Sequence, residues 1–140
     1  MDSQPSTTTA DISEKTVGVS QIETGVYSGK RHNKTYVITN TFALGDAVVF
    51  RVRIIDNDTG LPLANATIEI VIDGPETLMV TSAPSDGEGY AEAIWNTQKP
   101  GKRGRPPGTT LGNYTATVTS VTASGYDWDL VERSTGFEIQ

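Results

Sequence analysis

The sequence predicts an all-β protein, an antiparallel β-sandwich, and three observations carry that expectation. First, in 48–55 the apolar Val48, Phe50, Val52 and Ile54 alternate with Arg51 and Arg53, and in 66–72 Ala66, Ile68, Ile70 and Ile72 alternate with Thr67 and Glu69. Period-two alternation marks strands buried on one side only. Second, the connections are turn-rich: Asp56, Asn57, Asp58, Gly60 and Pro62 separate those runs, and Ser85, Asp86, Gly87, Glu88 and Gly89 form an acidic glycine turn further on. Such residues supply the fixed-φ and positive-φ positions of tight turns. Third, no stretch of ten residues carries a 3.6-residue apolar period, so no substantial helix is expected.

The elements follow in order. Residues 1–15 are polar, rich in Ser and Thr and aperiodic, and read as a disordered tail or linker; the domain is expected over 16–140. A short strand is predicted over 17–22, a loop over 23–34 and a strand over 35–39. The two strong runs come next, then a strand over 77–81. Over 90–95, Ala91, Ala93 and Trp95 share one face and Tyr90, Glu92 and Ile94 the other. A long connection spans 96–110. In 113–122, Tyr114, Ala116 and Val118 are expected inward against outward Thr and Ser, and 135–139 closes the sheet. About seven strands separated by turn signals indicate an immunoglobulin-like antiparallel arrangement.

Composition narrows the function. At 140 residues the chain is one domain, long enough for a two-layer core and expected to be monomeric. Seventeen acidic residues against eleven basic ones give a net charge of −6, which argues against nucleic acid as the main partner, because phosphate binding needs a cationic surface. Without cysteine there are neither disulfides nor thiolate metal sites, which in a secreted protein favours a bacterial or archaeal source. No apolar run approaches the ~20 residues of a membrane span. No signal-peptide pattern precedes the domain, and Met1 reads as the start of an excised segment.

A set of short signatures occurs in a definite order. It comprises Val19 and Ile22; Asp56, Gly60, Pro62, Ala66 and Thr67; Ser85, Asp86, Gly87, Gly89, Tyr90 and Ala91; Gly112, Asn113, Tyr114, Thr115, Ala116 and Val118; Gly125, Tyr126, Trp128 and Asp129; then Phe137 and Ile139. This order resembles the bacterial Ig-like domains attached to secreted enzymes and surface proteins, and covers 16–139. The basic connection over 96–113 is longer than such domains usually have. The resemblance implies a non-catalytic extracellular module, secreted or at the cell surface. It would serve as a spacer or protein-interaction domain beside neighbouring domains of the same chain, surface proteins or polysaccharide. The alternative is a calcium-dependent or carbohydrate-binding accessory module.

Topology adds a second expectation. If successive strands run in opposite directions, the connections 56–62, 82–89 and 123–134 lie at one end. That end then gathers Asp56, Asp58, Asp86, Glu88, Asp127, Asp129 and Glu132, opposed by Arg133. A solvated acidic rim is one reading, since Asp and Gly are default turn residues. A Ca²⁺ site built from Asp56, Asp58, Asp86, Asp127 and Asp129 is the other, because Ca²⁺ takes 6–8 oxygen ligands; otherwise no cofactor is expected. The aromatic Tyr126 and Trp128 lie at the same end. They are candidates either to stack on sugar rings or to cap the sandwich, whereas Trp95 and Tyr114 belong to the core.

The opposite end is expected to carry Lys99, Lys102, Arg103 and Arg105, whose sign inverts that of the rest of the chain. Arg103, Gly104, Arg105 and Pro106 resemble the core of an AT-hook. A solvated loop that steers the module toward an anionic polysaccharide or acidic domain is preferred. Enzymatic readings fail on inventory: the one histidine, His32, sits beside Arg31 and Lys34, and no Ser-His-Asp order, phosphate loop or paired-histidine metal motif can be drawn. Four Asn-x-Thr triplets, at Asn33, Asn57, Asn65 and Asn113, are glycan acceptors in a secreted archaeal or eukaryotic protein and by-products of a Thr-rich β-protein in a bacterial one.

Overall fold

The computed structural model describes residues 15–30 and 32–140. The tail expected over 1–15 therefore lies, apart from Lys15, outside the described residues. Ten strands follow: β1 (Thr16–Ser28), β2 (Thr35–Ile38), β3 (Thr41–Phe42), β4 (Ala47–Asp56), β5 (Thr67–Asp73), β6 (Thr77–Thr81), β7 (Tyr90–Asn96), β8 (Gly112–Thr122), β9 (Asp127–Trp128) and β10 (Arg133–Ile139). Among the described residues the one helical element is a 3-10 turn at Lys102–Gly104.

The strands form two sheets packed face to face, a β-sandwich. One sheet runs β2-β1-β4-β7, with β9 paired to β1; the other runs β3-β10-β8-β5-β6. Pairing is antiparallel except where β9 joins β1 and β3 joins β10. The alternation read from the sequence positions the core. Val48, Phe50, Val52 and Ile54 face inward from β4, Ala91, Ala93 and Trp95 from β7, Ile68, Ile70 and Ile72 from β5, and Tyr114, Ala116 and Val118 from β8. Phe137 joins the two layers. It meets Phe50 and Trp95 of one sheet edge-on at 5.5 and 6.2 Å, meets Phe42 of its own sheet likewise at 5.8 Å, and stacks on Tyr114 at 5.5 Å. Such ring pairs add to the burial of apolar area.

Two expectations need correction. The segment 23–28 is not a loop: β1 continues through it, with Glu23 opposite Arg51, Thr24 opposite Phe50 and Tyr27 opposite Tyr36. Glu23, Thr24 and Gly25 masked its period, yet Thr24 is 3% exposed and its hydroxyl donates to the Thr39 carbonyl at 2.6 Å, so the polar residue is satisfied inside. The strand count also exceeds seven, because β3 and β9 are two residues each and too short to show a period.

Candidate functional site

The three acidic connections do meet. The Asn57 amide group donates to Asp129 Oδ2 at 3.0 Å, the Tyr126 hydroxyl donates to Asp56 Oδ2 at 2.8 Å, and the Asn65 amide donates to the Ser85 carbonyl at 2.9 Å. Within the turns the carboxylates act on their own backbone. Asp56 Oδ1 accepts the amides of Asp58 and Thr59, Asp86 Oδ1 those of Glu88 and Tyr90, and Asp129 Oδ1 that of Val131. This is the local bonding by which short acidic side chains favour turns. The Tyr126 hydroxyl, with help from the two turn amides, holds the Asp56 carboxyl below its ordinary range; the same bond pushes the Tyr126 phenol up.

Of the proposed calcium ligands Asp56, Asp58, Asp86, Asp127 and Asp129, the fold sets Asp56 against the Tyr126 hydroxyl and Asp129 against the Asn57 amide group, and leaves Asp58, Asp86 and Asp127 exposed. Among the described residues no three His, Cys, Asp or Glu side chains form a group that could hold a metal ion. Asp56, Asp86 and Asp129 each aim one carboxylate oxygen at amides of their own turn rather than at a shared centre. Tyr126 and Trp128 are half-buried and pack against the core.

At the other end the basic connection closes on itself, the Gly101 amide donating to the Pro106 carbonyl at 2.8 Å. The end is anchored by Thr97, whose hydroxyl donates to the Asp46 carbonyl at 2.6 Å and accepts the Gly45 amide at 3.0 Å. Lys99, Lys102, Arg103 and Arg105 are all exposed and form no ion pair among the described residues.

A third region escaped the sequence reading. On the outer face of the β2-β1-β4-β7 sheet, Arg51 lies between two tyrosine rings, its guanidinium carbon 4.8 Å from the centre of Tyr36 and 4.5 Å from that of Tyr90. Arg51 Nε stands 3.4 Å from Glu92 Oε2, which also accepts the Tyr27 hydroxyl at 2.5 Å. Tyr27 meets Tyr36 edge-on at 5.5 Å. Gly25 makes room for this: a Cβ there would stand 2.7 Å from the Tyr36 ring. Burial pushes the Tyr36 phenol well up, and the bond to Glu92 raises that of Tyr27. The loop after β6 walls one side, leaving an open cleft of 280 Å³ lined by Tyr27, Arg51, Ala83, Pro84, Asp86, Tyr90 and Glu92. The legible signal was Arg51, a charged residue at an outward position in the middle of an apolar strand.

Comparison of the chain with protein-family models and with curated proteins returned no match.

Proposed function

We propose that this domain is a non-catalytic, extracellular immunoglobulin-type module that serves as a spacer or protein-interaction domain within a larger secreted or cell-surface protein. The observation that carries the reading is the path of the chain. Thr16 enters at the acidic end, where its carbonyl accepts the Asn57 amide, and Ile139 leaves at the basic end, paired with Gly112. A module entered at one end and left at the other extends a tandem chain by its own length. The eleven residues of β8 correspond to about 36 Å.

The immunoglobulin-type assignment is supported by strand order. With β1, β4 and β7 taken as strands A, B and E, and β5, β8 and β10 as C, F and G, the sheets correspond to the ABE and CFG layers of that fold. A tyrosine at the start of strand F that bonds back to the preceding loop is a further mark of such sandwiches. Tyr114 occupies that position, its hydroxyl donating to the Thr110 carbonyl at 2.6 Å.

Two copies joined in tandem test the reading by small-angle scattering. Serial extension raises the maximum dimension by about 36 Å over the single domain; side-by-side packing with little gain rejects the spacer role. Protease treatment of intact cells making the native chain tests the location, cleavage at the surface being the expected result.

A further inference from the structure

We infer that the cleft between Tyr27 and Tyr90 on the outer sheet face is a binding site for a neutral saccharide. The inference does not depend on the spacer reading and concerns different residues from Tyr126 and Trp128.

Three features point to that ligand class. The first is the mixture of signs. One guanidinium, Arg51, and two carboxylates, Glu92 and Asp86, line the same cleft. An anion would face both carboxylates, and a cation would face a guanidinium already held between two rings. A vicinal diol instead presents hydroxyls that both donate and accept, and so uses both kinds of group. The second is spare bonding capacity. Asp86 spends Oδ1 on two backbone amides, while its Oδ2 takes no bond from the described residues. The Arg51 terminal nitrogens likewise donate to no described residue, although the guanidinium is held by Tyr36, Tyr90 and Glu92. The third is the aromatic walls. Tyr27, 42% exposed, and the partly exposed Tyr90, one face of which is taken by Arg51, line the cleft with aromatic surface suited to the apolar C–H face of a pyranose.

The groups are also preorganised. Tyr36 packs over Gly25 and holds Arg51 from one side while Tyr90 holds it from the other, so little side-chain freedom is lost when a ligand arrives. At 280 Å³ the cleft falls just below the range of about 300–1,000 Å³ for small-ligand pockets, which suits one or two sugar rings.

The test is backbone-amide NMR of the full chain titrated with cellohexaose, mannohexaose, maltohexaose and laminarihexaose, with a heparin hexasaccharide and hexalysine as charged comparators. At least one neutral hexasaccharide is expected to shift the amides of Tyr27, Arg51, Asp86, Tyr90 and Glu92. Tyr90→Ala is expected to weaken that binding about tenfold or more, while Thr117→Ala on the other sheet leaves it unchanged. Should Tyr90→Ala fail to fold, Glu92→Gln keeps the shape, removes the charge and carries the same expectation. The inference is overturned if no neutral hexasaccharide shifts these amides, if only a charged comparator does, or if the shifts survive both substitutions.

Discussion

Each end of the sandwich is tied by one tyrosine hydroxyl, and the two ties differ in what surrounds them. At the basic end Tyr114 is 2% exposed, stacks on Phe137, meets Trp95 edge-on at 5.2 Å and donates to a neutral carbonyl, that of Thr110. At the acidic end Tyr126 is half-buried and donates to a carboxylate, that of Asp56. The first bond sits on a large apolar contact and its acceptor carries no charge. The second has less packing beneath it and an acceptor that titrates. The same side chain is thus a packing post at one end and a pH-linked clasp at the other.

Tyr114→Ala is expected to destabilise by about 3–5 kcal/mol in chemical denaturation, as for other large buried aromatics. Tyr114→Phe, which keeps the ring, should cost about 1 kcal/mol and show no pH dependence across the neutral range. A near-neutral Tyr114→Ala would remove the distinction between the two ends.

Ser85→Ala is the matching test at the acidic end. Ser85 is 4% exposed, and its hydroxyl accepts the Ala66 amide at 3.0 Å and donates to the Leu63 carbonyl at 2.7 Å. Losing it leaves both backbone groups unpaired, at a cost of about 1–3 kcal/mol. An effect of that size would mean that a neutral hydroxyl, rather than the visible carboxylates, holds this end together.

Tyr126→Phe should have a smaller effect that depends on pH. The Asp56 carboxyl is held below its ordinary 3.8, so its contribution is present above that value and lost as the pH falls through the lowered folded value. The Tyr126 phenol is raised above 10.0, so its contribution is present below that value and lost as the pH rises through the raised one. Wild type and variant should therefore differ between those limits and converge outside them. In the variant the Asp56 carboxyl, followed by carbon NMR, should return toward its ordinary range. Parallel stability curves at every pH would contradict the clasp.

The smallest effect is expected from calcium. With no three acidic side chains grouped about one point among the described residues, about 5 mM Ca²⁺ should leave the thermal midpoint unchanged; a rise would mean selective binding to the folded state.

Much of this architecture was legible because strand burial is a local, period-two property. The inward positions of β4, β5, β7 and β8 follow from alternation alone, and so does the placing of Trp95 and Tyr114 in the core. The second half of β1 was not, since Gln21, Glu23, Gly25 and Tyr27 face outward along it and the buried Thr24 interrupts the apolar face. The aromatic cleft was less legible still. Its lining comes from β1, β4, β7 and the loop after β6, and the Tyr27–Glu92 bond spans 65 residues of sequence. Only register aligns Glu23, Arg51 and Glu92 in one row across the sheet.

Local periodicity and turn chemistry by themselves determined that the chain pairs into strands, which residues each strand turns inward, and where Asp, Gly and Pro break the chain. Which strands become neighbours was decided by tertiary structure, and with it the crossing of β3 to pair with β10, the clasp between Tyr126 and Asp56, and the holding of Arg51 between two rings. The reason is physical: alternation is set by the geometry of one strand, whereas register and neighbourhood are set by how both apolar faces can be covered at once.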